Sequence, residues 1–357
     1  MSRLESREEI KMQGSMKAYY YESANNAVIK ELPVPQIADD EVLVKIKAVG
    51  ICHTDLSVLA GINIVPVPFP FIGGHEWSGE IVETGKDVVA FKVGDRVVGE
   101  CNSGCGSCLP CQEGHEDYCM VAPVQRGINT DGAFCEYYRI ISRMCHKIPD
   151  NMDFVTASLM EPFTVAYSGI YGIGSCDSGD TVVVQGGGAI GLGAVACAAG
   201  MGARVILSDS HENRREMARR LGAYATIDRK NEDVVKRVLD MTDGFGADLV
   251  VEAAGNAASM KQSLALVRNN GRIAYLGMDP GTEVPIEIGL FMMKGIRAQG
   301  SLGSPGIWDR AIKFVDRAGI DLKMLSSKQF PLIEAAKAFE YTSNRDNDFV
   351  KVTLLTE

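Results

Sequence analysis

The apolar run Thr181-Val182-Val183-Val184-Gln185, followed at once by Gly186-Gly187-Gly188-Ala189-Ile190-Gly191, constrains the fold more than any other stretch of the chain. Its G-x-G-x-x-G spacing sits between a strand and an apolar helix, the context in which such a loop carries meaning. Without side chains at Gly186, Gly188 and Gly191, the backbone can approach a pyrophosphate whose charge then rests on the helix N-terminus. Beyond Asp180, apolar strands alternate with helical periods, the signature of a parallel sheet built from βαβ units. Six strands are readable: Thr181 to Gln185, Arg204 to Ser208, Ala225 to Asp228, Leu249 to Glu252, Arg272 to Leu276 and Arg297 to Ser301. Together they predict one doubly wound sheet in an α/β protein.

The other half reads differently. From Lys17 to about Tyr138 the chain shows short alternating strands broken by Gly and Pro, as in Glu41-Val-Leu-Val-Lys-Ile-Lys47. After Ser301 come helical stretches around Trp308 to Arg317 and Leu332 to Tyr341, then a strand from Phe349 to Leu354. This tail is too short for a third domain, so it is expected to pack back on the N-terminal half and make the nucleotide unit an insertion. A length of 357 residues agrees with two domains.

Charge excludes some classes of partner. A formal net charge of -10 and the lack of a basic tract argue against nucleic acid, whose affinity comes from clustered Lys and Arg. The N-terminal residues are charged and lack the apolar core of a secretory signal, which points to a cytoplasmic protein. Thr181 to Ala203 carries no formal charge over 23 residues, long enough to span a bilayer. Its clustered glycines fit a phosphate loop better, and no membrane partner is expected.

Ten cysteines in a long chain without an export signal point to metal or catalysis rather than disulfides. Cys105, Cys108, Cys111 and Cys119 follow C-x2-C-x2-C-x7-C, a spacing that can close a tetrahedral zinc shell with no open position, hence a structural site. Cys101 and His115 fall outside that spacing and read as bystanders. A second set is dispersed: Cys52-His53-Thr54-Asp55 after a predicted strand, and Gly74-His75-Glu76 after a Pro-rich loop. A catalytic zinc needs three protein ligands and an open position, and Glu161, in Met160-Glu161-Pro162, is the leading third donor.

With these motifs in order, together with Val93-Gly94-Asp95-Arg96-Val97, the chain from Lys17 onward resembles the zinc-containing medium-chain dehydrogenases, the superfamily of alcohol, sorbitol and threonine dehydrogenases. The resemblance implies a GroES-like β-rich catalytic domain at 17–166 and 302–357, a Rossmann domain at 167–301 and an N-terminal extension at 1–16. It implies two zinc ions per chain, one structural and one catalytic on Cys52 and His75. Glu161 stands where many alcohol dehydrogenases have a third cysteine, which looks like the polyol branch. Glu76 can bind or support the same metal, so Glu76 and Glu161 are read as alternating ligands.

The resemblance also assigns the cofactor and proton path. Asp209 ends the second strand, where an acid binds both ribose hydroxyls and repels a 2'-phosphate, so NAD is favoured over NADP. Arg214 is expected to stack on adenine beside it, unless it only solvates its helix with the neighbouring arginines. Ala189 and Ile190 complete the loop, His53 faces the pyrophosphate, and Gly255, Leu276, Gly277 and Met278 line the nicotinamide pocket at the strand ends. Thr54 begins a proton relay, although the histidine that many relatives carry three residues later is Ser57 here. Zinc would acidify the substrate hydroxyl, and NAD would accept the hydride.

The expected substrate is a small polyhydroxylated secondary alcohol, such as a polyol, cyclitol or sugar-like molecule, handled by a homo-oligomer, dimer or tetramer. Sorbitol-type enzymes carry an arginine soon after a Gly-Ser pair at the end of the last sheet strand, whereas this chain reads Gly300-Ser301-Leu302-Gly303. A simple primary-alcohol dehydrogenase and a catalytically silent nucleotide-binding relative are the alternatives.

Overall fold

The computed structural model describes residues 14–63, 66–278, 281–344 and 347–356. Six parallel strands form the nucleotide sheet in the spatial order Ala225–Asp228, Arg204–Asp209, Thr181–Gln185, Ala247–Glu252, Val267–Tyr275, Arg297–Gly300. The order reverses beside Thr181–Gln185, which places a ligand crevice at the carboxyl ends of the central strands. Val182, Val183 and Val184 are all buried, as expected of a central strand covered on both faces. The fifth strand begins earlier than the expected Arg272, because Val267 is buried and pairs with Ala247 ahead of a register shift. The uncharged stretch 181–203 divides into the strand Thr181–Gln185, the glycine loop and the helix Ala189–Gly200. No helix among the described residues is long and apolar enough to cross a membrane.

A second, mostly antiparallel sheet builds the other half. Its order is Cys145–Lys147, Arg96–Gly99, Glu76–Thr84, Glu41–Ile51, Lys351–Leu355, Ser326–Pro331, with Tyr137–Ile141 also pairing to Glu41–Ile51. Lys351–Leu355 runs antiparallel to Glu41–Ile51, with Thr353 opposite Gly50. Chain order therefore inserts the nucleotide sheet between two parts of this one. The rest of the tail does not all return to the N-terminal half. The helix Trp308–Ala318 turns Trp308, Ala311, Ile312 and Val315 into a core shared with Val182, Leu192, Met160 and Phe163, at the seam between the two sheets. The expected helix at Leu332 opens with a tight 3-10 turn, Leu332–Glu334, and continues as Ala335–Ser343.

The N-terminal strand Ser15–Ser23 starts inside the expected extension, with Ser15 and Met16 already paired to Pro33 and Leu32. Residues 1–13 of that expectation lie outside the described residues.

Candidate functional site

Cys52 follows the strand Glu41–Ile51 and caps the helix His53–Leu59. Its backbone N–H donates to Asp55 Oδ2 at 2.7 Å, which fixes the turn that presents the thiol. The other oxygen of Asp55 lies 3.2 Å from His75 Nδ1, with both side chains buried. A carboxylate against Nδ1 sets the ring orientation and leaves Nε2 for a metal. Burial works against a charged His75, but the Asp55 carboxylate outweighs it and raises the imidazole well above its ordinary range.

Glu76 opens the strand Glu76–Thr84 directly opposite Gly50. A Cβ at Gly50 would sit 2.3 Å from Glu76 Oε2, so only glycine leaves room for this carboxylate. Oε1 accepts a hydrogen bond from Lys351 Nζ at 2.6 Å, while Oε2 is buried without a partner. One ligand atom from each of Cys52, His75 and Glu76 comes within 4.8 Å of the others. A thiolate, an imidazole and an orphaned carboxylate oxygen are a donor set that suits zinc. Glu161, on the helix Met160–Tyr167, is outside this group. Its Oε1 lies 3.7 Å from Cys101 Sγ, and burial pushes its carboxyl up to about 7. Cys101 is thus packed against a candidate site carboxylate. Thr54 Oγ1 lies 3.6 Å from Cys52 Sγ, and His53 is exposed at the start of its helix.

The four-cysteine lobe is brought together as its spacing predicts. Cys105, Cys108, Cys111 and Cys119 place their sulfurs within 4.8 Å of one another, and His115 is not among them. Backbone N–H groups of Cys108, Cys105 and Ala122 point at the sulfurs of Cys105 and Cys119 at 3.3 to 3.4 Å, the environment a thiolate needs. Gly104 admits the cluster, since a Cβ there would meet Cys111 Sγ at 2.3 Å. The loop after the last nucleotide strand docks on this lobe. Leu302 N–H donates to the Tyr118 hydroxyl at 3.2 Å, and a Cβ at Gly303 would press on Asn102 and Asp117.

In the glycine loop, Gly186 adopts φ 95°, and a Cβ at Gly191 would meet the Gly186 carbonyl at 1.8 Å. At Gly188 nothing lies within 4 Å of that position, which leaves the N-terminus of Ala189–Gly200 open to a phosphate. Asp209 Oδ2 accepts from Gly187 N–H at 2.7 Å and Oδ1 from His211 N–H at 2.7 Å. Burial opposes its charge, yet these donors hold its carboxyl below the ordinary value. Arg214 lies 4.0 Å from Asp209 and donates to the Phe349 carbonyl at 3.2 Å, so its guanidinium is anchored beside the acid. Gly255 and Gly277 meet closely at the strand ends, Leu276 is buried and Met278 is exposed.

Three residues of this site escape a reading of motifs. Asp55 stands inside Cys52-His53-Thr54-Asp55, and its place three residues after a strand-ending thiol is the available signal. Lys351 offers no local signal, because its partner is 275 residues away. Glu252 is likewise silent in sequence: it is buried, and its Oε1 accepts from the Ala254 and Gly255 N–H groups at 3.0 Å, which shapes the turn at the end of its strand.

Comparison with known proteins agrees with this geometry. Residues 38–150 match the alcohol dehydrogenase GroES-like domain, and residues 189–317 match the zinc-binding dehydrogenase domain. The chain is 34% identical to sorbitol dehydrogenase of Bacillus subtilis (strain 168), over 95% of this chain and 96% of that protein. It is 36% identical to L-threonine 3-dehydrogenase of the same organism, over 92% and 95%. A zinc-binding dehydrogenase from Sinorhizobium meliloti 1021, solved bound to NADP, superposes with a TM-score of 0.90 at 34% identity, over 96% of this chain and 100% of that one.

Proposed function

The chain belongs to the zinc-dependent medium-chain dehydrogenases, in their polyol dehydrogenase-like branch, and from that premise we propose that it oxidises a secondary alcohol of a polyol, cyclitol or sugar-like substrate with NAD. The carrying observation is the Cys52–His75–Glu76 group with its orphaned Glu76 oxygen. Oxidation would take a hydride from the alcohol carbon and a proton from its hydroxyl, leaving a ketone, and NAD when bound would supply the hydride acceptor. When bound, zinc supplies Lewis acidity toward the substrate oxygen.

The chain's own residues do the rest. Cys52, His75 and one carboxylate would hold the metal, while Asp55 orients the imidazole. Thr54, 3.6 Å from the Cys52 sulfur, would accept the hydroxyl proton and pass it outward. Gly186, Gly188 and Gly191 would admit the pyrophosphate, and Asp209 would face the ribose and disfavour a 2'-phosphate. The four cysteines of the lobe would hold the structural zinc. Carboxylates at both candidate ligand positions, Glu76 and Glu161, support a polar substrate over a simple alcohol. The exposed edge strand Arg297–Gly300, near Met292 and Met293 at 78% and 79% exposure, supports a homo-oligomer that covers it.

The test is an NAD- and NADP-reduction screen over polyols, cyclitols, aldonates, amino alcohols and ethanol, run with metal analysis and mass measurement in solution. NADH formation on secondary polyols, two zincs per chain and its loss in Cys52→Ala are expected. Preference for ethanol would favour a primary-alcohol dehydrogenase. One chelation-resistant zinc and no oxidation of any alcohol would leave a silent nucleotide-binding protein.

A further inference from the structure

A cavity of about 130 Å³ opens between the four-cysteine lobe, the loop after Ser301 and Glu161. Glu161, the other candidate carboxylate for the metal, lines this cavity beside Cys101, with Oε1 3.7 Å from its sulfur. The cavity thus borders the candidate site on its Glu161 side and the lobe on the other. Its other walls include Glu100, Asn102, Glu116, Asp117 and Arg143.

Sorting these groups by partner shows what the cavity lacks. Glu116 is taken by Arg143 at 2.9 Å and by the Gly104 N–H at 2.8 Å. Glu100 is taken by His146 at 2.9 Å. Asp117 is different: its residue is 8% exposed, and neither carboxylate oxygen accepts a hydrogen bond of good geometry. Asn102 Oδ1, on the same wall, is also buried and unpartnered. Arg143 is the one Lys or Arg among the lining residues, and it is already committed to Glu116. Among the described lining residues the wall thus offers acceptors and negative charge, and no uncommitted lysine or arginine.

A buried carboxylate without a partner is costly, and a cation that also donates hydrogen bonds relieves both the charge and the unsatisfied oxygens. Hydroxyl donors alone would relieve only the second. A substrate carboxylate or phosphate would meet like charge along this wall. We propose that Asp117 takes a substrate ammonium group, so that the substrate is an amino-polyol or aminocyclitol whose secondary alcohol passes Glu161 to reach the Cys52–His75–Glu76 group. This rests on the dehydrogenase reading above and adds to it the group recognised away from the reacting carbon.

The experiment compares matched pairs on the zinc-loaded full chain at neutral pH: glucamine against glucitol, and scyllo-inosamine against scyllo-inositol. In at least one pair the amine should have a kcat/KM about 100-fold higher, the scale of one buried charge partner. Asp117→Asn should remove that preference, lowering kcat/KM for the amine far more than for its neutral partner. The amine should also raise the melting temperature of the wild-type protein and not of Asp117→Asn. Equal use of both members in both pairs, or an equal loss for both members in the variant, overturns the proposal and leaves the dehydrogenase reading standing. If Asp117→Asn does not fold, N-acetylglucamine replaces it: acetylation removes the charge, so retained preference over glucitol overturns the proposal. Failure to oxidise any alcohol overturns the underlying reading instead.

Discussion

Lys351 Nζ lies 2.6 Å from Glu76 Oε1, a buried ion pair that ties the C-terminal strand to the first residue of Glu76–Thr84. Burial works against the lysine's charge, but Glu76 outweighs it and holds the ammonium protonated, above its ordinary value. Replacing Lys351 by Met leaves Glu76 charged and unpaired, which should destabilise the metal-stripped chain by about 3 kcal/mol. Adding Glu76→Gln should recover most of that loss. Urea unfolding of the wild type, both single variants and the double variant measures the coupling, and simple additivity would contradict the pairing.

Asp55 lies 3.2 Å from Nδ1 of His75, a proposed zinc ligand, and would act on the metal through that ring. Asp55→Asn keeps the size of the side chain and removes the charge beside Nδ1. Affinity for the catalytic zinc should fall about 10- to 100-fold, while the zinc of the four-cysteine lobe stays bound. Chelator titration with metal counting distinguishes the two ions, because one zinc should leave early and the other late.

Asp209 should decide the cofactor. Its two oxygens already organise Gly187 and His211, so a ribose diol would meet a carboxylate fixed in place. Asp209→Ser should lower the ratio of kcat/KM for NAD over NADP by about 100-fold. Steady-state kinetics with both nucleotides reads this directly, and an unchanged ratio would remove Asp209 from the recognition of the ribose.

His146 should give stability a pH dependence. Its ring stacks on Trp308 at 5.4 Å, with Nδ1 2.8 Å from Asp309 and Nε2 2.9 Å from Glu100. Burial lowers its pKa, but the two carboxylates outweigh burial and raise it. For a raised histidine the stabilisation is complete below the unfolded value of about 6.5 and disappears as pH rises through the higher folded value. With Asp309 largely exposed, the effect should be about 1 kcal/mol. His146→Gln should therefore be less stable than the wild type in mildly acidic buffer, and the gap should close in alkaline buffer. A gap that widens with pH would reverse the assignment.

Local pattern and long-range packing contributed unequally to what the sequence makes legible. Val182 to Val184 and the glycines after them carry their meaning locally, because period, turn and helix start all lie within one short segment. The four lobe cysteines are legible for the same reason. Cys52 and His75 needed a shared motif order, since neither is distinctive alone. The role of Glu76 depends on Gly50 opposite it and on Lys351 far along the chain, relations created only when three strands align. Asp117 looks like any acid in a polar lobe, and only the docking of Gly303 and its loop shows that its oxygens are enclosed. The seam position of Trp308–Ala318 is hidden in the same way, because an amphipathic period says that a face is buried but not against what.

The place of Lys351–Leu355 in the first sheet carries a consequence for biosynthesis. A ribosome releases the nucleotide sheet complete, with its glycine loop formed, before the strand that pairs with Glu41–Ile51 has left the exit tunnel. During that interval Glu76 still lacks its lysine. Translation arrested a few codons short of that strand would yield a protein whose Glu76 carboxylate has no lysine to neutralise it.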